Sequence, residues 1–455
     1  MKKLKNKNRG KWLIIWIVKK IRIKKVWLLL HYGCKVNQYE TNAMIQQFID
    51  KRYEIVEHTK KADIYIVNTC TVTNMSDRKS RQMLRRVKEL NKDAIVVACG
   101  CYVQVAKKEI ENIPEIDLAL GNNEKKEIVD IVEKYLEQNK KREEMEDVMY
   151  QKEFVDFGDV TYTEKTRAVI KVQDGCDRFC SYCLIPYARG RVRSRKPQSI
   201  LSEIEKISKQ GIKEVVITGI HIASYGKDFK QEYKLIDLLE DINKIEGIKR
   251  IRLGSIEPLL ITEEFVKRLV KLEKVCHHFH LSLQSGCDET LKRMNRRYST
   301  KEFKEIVARL RRYYNDVILT TDIIVGFPQE SENEFKETYK FLEEIKFYKM
   351  HVFKYSPRKG TKAAKMCGQI DGNIKEERSQ KLIEMSDENE KEYNKSYIGK
   401  KIEVLFEEEK NGFYQGHTKN YILALCKTNK NLENQIVKTT CKEIKENYII
   451  VEIED

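Results

Sequence analysis

The sequence predicts an α/β chain in three units: an N-terminal α/β domain, a central partial TIM-like (β/α)6 barrel and a small C-terminal β-barrel. Three observations predict it. From Val26, short β-branched and aromatic runs alternate with stretches of helical periodicity. That alternation, the mark of βα units, continues to Tyr355. Beyond residue 392 it gives way to closely spaced short strands, which suits a small β-barrel. The expected boundaries are a basic extension over 1–24, an α/β unit over 25–140, a linker over 141–164, the barrel over 165–391 and the last unit over 392–455.

The chain has 455 residues, 35% of them charged and 41% hydrophobic, enough for several buried cores. Twelve cysteines without a credible secretory signal argue for reduced thiols, metal ligation and a cytoplasmic setting over a disulfide framework. The net charge is +17, of which residues 1–25 supply 11 through nine Lys and two Arg. The remaining +6 fits a nucleic-acid partner without requiring one. Trp12–Val18 is apolar but far too short to span a bilayer. The opening segment reads as a disordered basic arm or an added start, with no membrane partner.

In the first unit, Val26–Leu30 reads as a buried strand and Thr41–Asp50 as a helix, with Met44/Phe48 and Ile45/Ile49 at helical spacing. Asp63–Val67, Ala94–Ala98 and Asp117–Gly121 are further strands. Three strand ends run into Cys34, Cys70 and Cys101. Open α/β sheets bind ligands at the carboxyl ends of their strands, so these thiols are placed to converge; small buried thiols are the alternative. From Glu133 to about Thr163 the apolar period fades into an exposed linker.

The second unit opens on Arg167–Val172. Glu214–Ile217, Arg250–Leu253, Phe279–Leu283, Val317–Val325 and His351–Tyr355 follow as strands, with helices such as Ile200–Lys209 and Glu302–Tyr313 between them. Chemistry in such a barrel sits at the carboxyl ends of its strands. There lie Thr218-Gly219, Ser255, Glu257, Gln284-Ser285-Gly286 and Gly326-Phe327-Pro328, although Gly and Ser also serve as plain turn residues. Arg189, Arg191, Arg193 and Arg195 recur at every second residue, which on an extended segment gives one face able to grip phosphates or a carboxylate, or a solvated loop face. His277, His278 and His280 have no carboxylate at metal spacing and read as ordinary strand residues.

In the third unit, Lys401–Phe406, Phe413–His417, Tyr421–Cys426, Gln435–Thr440 and Asn447–Glu452 read as five strands. Aromatics beside lysines suit base stacking and backbone charge; a lysine-rich barrel without an RNA role is the alternative.

The most informative stretch is Cys176-Asp177-Arg178-Phe179-Cys180-Ser181-Tyr182-Cys183. Three thiolates at CxxxCxxC spacing can ligate three irons of a [4Fe–4S] cluster and leave the fourth open. A zinc site needs a fourth nearby ligand, which the sequence lacks. With the flank Leu184-Ile185-Pro186-Tyr187-Ala188-Arg189-Gly190, this run resembles the methylthiotransferase branch of the radical S-adenosylmethionine superfamily. Gly33-Cys34-Lys35-Val36-Asn37-Gln38-Tyr39-Glu40-Thr41, Asn68-Thr69-Cys70-Thr71-Val72 and Gly100-Cys101-Tyr102-Val103-Gln104 look like its three N-terminal cysteine blocks, and Gly416–Tyr421 resembles the RNA-binding TRAM domain.

The resemblance implies two [4Fe–4S] clusters, one on Cys176, Cys180 and Cys183 and an auxiliary one on Cys34, Cys70 and Cys101, with Cys99 left outside. It implies S-adenosylmethionine as radical source and methyl donor, lined by Thr218, Gly219, Ser255, Glu257 and Gln284. Arg191, Arg193, Arg195, His417, Asn420 and Tyr421 are the expected RNA contacts. The first cysteine block resembles the branch that methylthiolates C2 of threonylcarbamoyladenosine beside the tRNA anticodon. The implied partners are a tRNA anticodon stem-loop and an electron donor such as flavodoxin or ferredoxin, with a monomer as default. Departures are His31-Tyr32 before the first block and Gln329-Glu330-Ser331 after the fifth barrel strand. The alternatives are isopentenyladenosine tRNA or a ribosomal-protein side chain as substrate, or a noncatalytic iron–sulfur RNA-binding protein.

Overall fold

The computed structural model describes residues 25–30, 33–56, 61–138, 142–163 and 166–454; the expectations for 1–24 lie outside them. Strands β1 (Lys25–Leu30), β2 (Glu54–Ile55), β3 (Ile64–Thr69), β4 (Ile95–Gly100), β5 (Leu118–Leu120) and β6 (Arg142–Glu144) form one sheet in the order β2-β1-β3-β4-β5-β6. Every pair is parallel. Helices cover both faces, as a parallel sheet requires, giving two apolar layers around Val67 and Ala98 on one side and Ile66 and Val97 on the other.

Helix α1 (Lys35–Asp50) starts immediately after Cys34, six residues ahead of the expected Thr41. Its early inward residues, Asn37 and Glu40, are polar and wholly buried, so an apolar count cannot find that turn. The expected linker is also corrected. β6 extends the sheet, and Phe157 and Val160 pack on Tyr39 and Ala43 of α1.

The second unit holds β7 (Arg167–Asp174), β8 (Arg193–Ser194), β9 (Glu214–Gly219), β10 (Arg250–Leu253), β11 (His278–Gln284), β12 (Ile318–Val325) and β13 (Lys349–Lys354). They run in two parts, β10-β9-β7-β8 and β11-β12-β13, joined by parallel bridges Ile251–Val275 and Ile256–Leu281. Six strands are parallel; only β8 runs against β7. The result is an open barrel. Phe279, Leu281 and Leu283 enter the helix-packed core, which turns His278 and His280 to the inner side.

Helix Gly372–Lys395 leads out of the barrel and runs through the expected boundary at 392. Leu382 joins the barrel core, and Ser386 and Asn394 bond Met350 and Tyr348. Strands β14 (Lys401–Lys410), β15 (Phe413–Thr418), β16 (Leu423–Cys426), β17 (Ile436–Lys445) and β18 (Tyr448–Ile453) then close a barrel in the order β14-β15-β16-β18-β17. It docks on the amino ends of the central strands. Arg250 donates to the carbonyls of His417 (2.8 Å) and Glu403 (3.1 Å), and Asn420 to that of Asp316 (3.1 Å). Among the described residues no helix is long and apolar enough to cross a membrane.

Candidate functional site

Cys34, Cys70 and Cys101 follow β1, β3 and β4 at one sheet edge. Asn37 donates to the Thr69 carbonyl (2.9 Å), while Asn68 donates to the Asn37 carbonyl (3.1 Å) and the Thr41 hydroxyl (2.9 Å). These bonds tie the start of α1, and hence Cys34, to the β3 end that carries Cys70. Gly100 turns the chain into Cys101 at φ +100°, where a Cβ would lie 2.5 Å from the Thr69 carbonyl oxygen; only glycine fits there. The thiols are near enough to repel each other's charge. Burial, then the Cys101 and Cys34 thiolates, push Cys70 up to about 12. Burial also raises Cys34, against the pull of Arg189. Cys99 points away into the apolar layer.

The second triad lies on the loop after β7. Gly175, at φ +72°, brings the backbone against Arg191, and Phe179 takes a left-handed φ of +49°, folding the loop back on itself. Backbone N–H groups of Arg178 and Ile185 donate to the sulfurs of Cys176 (3.5 Å) and Cys183 (3.4 Å), and Arg296 donates to Cys180 (3.4 Å). Burial and the charge of Cys180 raise Cys183 to about 12 and, with less effect, Cys176 to about 11.

A buried charge network joins Cys101 to the end of β7 and to the segment that follows Cys183. Arg189 donates from Nε to Cys101 Sγ (3.1 Å), from Nη1 to Glu40 (2.6 Å) and Asp174 (3.2 Å), and from Nη2 to Asn37 (2.8 Å). Lys125 and Lys171 also reach Glu40 at 2.6 and 2.7 Å, and Lys171 reaches Asp174 at 2.6 Å. Burial would raise Glu40, but Arg189, Lys125 and Lys171 outweigh it and hold the carboxyl well below its usual range. With Arg193, 3.9 Å from Asp174, four buried cations face two carboxylates. Arg189 in particular pulls against the burial that raises Cys34 and Cys70.

The arginine series is corrected here. Arg189, Arg193 and Arg195 are fully buried. Arg193 donates to the Arg189 carbonyl (2.7 Å), and Arg195 pairs with Glu203 (2.9 Å) and the Tyr39 hydroxyl (3.1 Å). Burial favours internal partners for guanidinium groups; both side chains turn inward, Arg193 with its buried Nε unpaired, so neither presents itself to RNA. Arg191 alone stays exposed, beside Asp177 and over the Phe179 ring.

The C-terminal candidates are likewise turned inward. Asn420 is buried, donating to the Tyr397 hydroxyl at 2.5 Å. Tyr421 stacks between His278 and His417 with ring centroids 4.8 and 4.7 Å away, and Arg252 lies 4.7 Å over its ring. His417 pairs with Glu407. These three residues close the barrel's amino end and are not a free RNA platform.

Two of the five S-adenosylmethionine candidates line different cavities. Glu257 ion-pairs with Arg178 of the cysteine loop and lines a 580 Å³ cavity with it. Ser255 lines a different cavity of 480 Å³ inside the barrel. Thr218 and Gly219 end β9, with Gly219 packed on Gln173, and Gln284 ends β11 at φ +72°.

Residues 170–342 match the Radical SAM superfamily and residues 26–121 the uncharacterized protein family UPF0004. The threonylcarbamoyladenosine tRNA methylthiotransferase MtaB of Bacillus subtilis is 39% identical, over 89% of this chain and 91% of the relative. The chain belongs to the radical S-adenosylmethionine methylthiotransferase family. The tRNA-2-methylthio-N(6)-dimethylallyladenosine synthase of Moorella thermoacetica is 35% identical, over 85% of this chain and 88% of the relative. The fold is shared with the radical S-adenosylmethionine methyltransferase TsrM of Kitasatospora setae, at TM-score 0.56 and 15% identity over 75% of this chain and 77% of that one.

This methylthiotransferase is therefore an enzyme that works with S-adenosylmethionine and [4Fe–4S] clusters. Its residues fit two such groups. Each triad offers three mutually repelling sulfurs, a repulsion that bonding to iron relieves, with N–H donors on the sulfurs of the kind that tune clusters. Sequence reasoning met Glu40 and Arg189 only as members of matching motifs, and missed Asp174 and the buried pairing of all three. Glu40 stands six residues after Cys34, a charge inside an otherwise half-apolar helix, and that was the available signal.

Proposed function

We propose that this enzyme places a methylthio group on C2 of N6-threonylcarbamoyladenosine, 3′ of a tRNA anticodon. The observation that carries the reading is the pair of cysteine triads, with Arg189 of the segment that follows Cys183 donating to Cys101 of the other. Cys176, Cys180 and Cys183 would hold the cluster that binds S-adenosylmethionine, and Cys34, Cys70 and Cys101 the auxiliary cluster. When bound, these groups supply the one-electron chemistry that breaks an unactivated aromatic C–H bond, and the sulfur that replaces the hydrogen.

The chain's own residues fix the geometry of the two centres. The Glu40–Arg189–Asp174 network holds the N-terminal sheet edge against β7 and keeps water from the sulfur of Cys101. Glu257, ion-paired to Arg178, sets the loop that carries Cys176 and Cys180 and offers a carboxylate toward the bound cofactor. Arg191 is the one exposed arginine of its series and the remaining RNA contact from that segment. The threonylcarbamoyl substrate is favoured over the dimethylallyl one by the higher identity to the relative named for it, 39% against 35%. A reductant protein, a cytoplasmic setting and a monomeric state complete the proposal.

The test is mass spectrometry of tRNA nucleosides from cells with and without the gene. Loss of the 2-methylthio-threonylcarbamoyl nucleoside, restored by the intact protein and not by Cys180→Ala, is the expected result. Loss of the isopentenyl nucleoside in its place would overturn the substrate assignment while leaving the chemistry.

A further inference from the structure

The open barrel contains a second constellation of ligating groups, separate from both cysteine triads. His280 on β11, Asp322 on β12 and His351 on β13 each offer one ligand atom, and the three atoms lie within 4.8 Å of one another. The strand register builds this. Asp322 stands directly opposite His351, and Thr320, two residues earlier on the same face, stands opposite His280. All three side chains therefore rise from adjacent rigid strands, which hold a site more closely than loops do.

The orientation of His280 is fixed from behind. Its Nδ1 bonds the Thr320 hydroxyl at 3.0 Å, which leaves Nε2 as the inward nitrogen, 3.2 Å from an Asp322 carboxylate oxygen. Nitrogen and oxygen ligands at about 2.1 Å from one ion stand roughly 3 Å apart, so this pair already has the separation of two ligands on one metal. A hydrogen bond to the outer ring nitrogen is also the usual support of a metal-bound histidine. His351 faces the 480 Å³ cavity together with Lys35, Ser255 and Lys349 and closes the third corner with a small side-chain shift. Lys349 is neutralised by Glu390 and Asp387 at 2.5 and 3.0 Å, which lowers its repulsion of a cation.

We propose that His280, Asp322 and His351 bind a divalent transition-metal ion of the zinc class. Two imidazoles and one carboxylate leave coordination positions open, and here those positions face the cavity, where water or an oxygen-bearing ligand completes the shell. The proposal is independent of which nucleoside the enzyme modifies.

The experiment is equilibrium dialysis of the cluster-loaded protein against Zn2+, with zinc and iron counted per chain by mass spectrometry. The intact protein is expected to retain one zinc more than Asp322→Asn and one more than His280→Ala, with iron content equal in all three. Asp322→Asn keeps the shape of the side chain, so equal iron shows that the fold and clusters survive. Zinc content equal across the three proteins overturns the site.

Discussion

Arg189 occupies a wholly buried position between two domains, with Cys101, Glu40, Asp174 and Asn37 on its five donors' side. Replacing it by Met leaves two carboxylates buried with fewer cations. Breaking a buried pair from one side costs about 3–5 kcal/mol, so Arg189→Met is expected to lower the unfolding free energy by that order in urea titrations. Arg189→Lys keeps the charge but loses the planar fork, and a smaller loss is expected. The same network sets a pH dependence. Lys171, Arg189 and Arg193 outweigh burial and hold Asp174 at about 2, and Glu40 shifts the same way. Folded values below the unfolded ones (about 4) mean this stabilisation is complete above about pH 4 and is lost as the pH falls toward 2. Urea midpoints should therefore fall on acidification through that window, and fall less in Glu40→Gln.

At the scale of elements, the strand ends matter more than the strands. Gly100 places Cys101 by a backbone conformation that a side chain would forbid, so Gly100→Ala should displace one ligand of one cluster. Two [4Fe–4S] clusters carry about eight irons; the variant is expected to retain about four, with the signal of the cluster on Cys176, Cys180 and Cys183 unchanged by electron paramagnetic resonance. The sequence located nearly every strand, because β-branched runs and their period survive without tertiary context. It placed the start of α1 six residues late, because Asn37 and Glu40 face inward as polar groups and are satisfied by partners up to 152 residues away. It read the alternation of Arg189 to Arg195 as one face. Arg189 in fact ends a short helix, Ile185–Arg189, ahead of the two-residue strand β8, so the spacing of an extended chain does not carry from Arg189 to the other three.

Across the whole molecule, the C-terminal barrel stoppers the amino end of the central one. Burial pushes Tyr421 up, yet Arg167, Lys35 and Arg252 outweigh it and lower the phenol, a sign of how densely cationic that junction is. Truncating a buried aromatic side chain costs about 3–5 kcal/mol. Tyr421→Ala should cost at least the stacking part of that, about 1 kcal/mol for two ring pairs, and lower the thermal midpoint. Because Arg250, Arg252 and Asn420 all cross the junction, the two barrels are expected to unfold in a single calorimetric transition. Two separate transitions would show the docking to be weak.

By itself the sequence determined the fold class, the order of the three units, the six cysteines proposed as ligands and the family. The fold class and the order of the units are written in local period, which a chain carries whether or not it is folded, while the cysteine assignment and the family rest on the resemblance of its motifs. Only the tertiary structure decided which charged and polar residues serve the site. It turned Arg193, Arg195 and Asn420 inward, joined Arg189 to Cys101 across 88 residues, and set Asp322 beside His280 where local spacing showed no carboxylate at all. A buried charge is governed by the partner that repays its lost hydration, and that partner is chosen by the packing of distant segments.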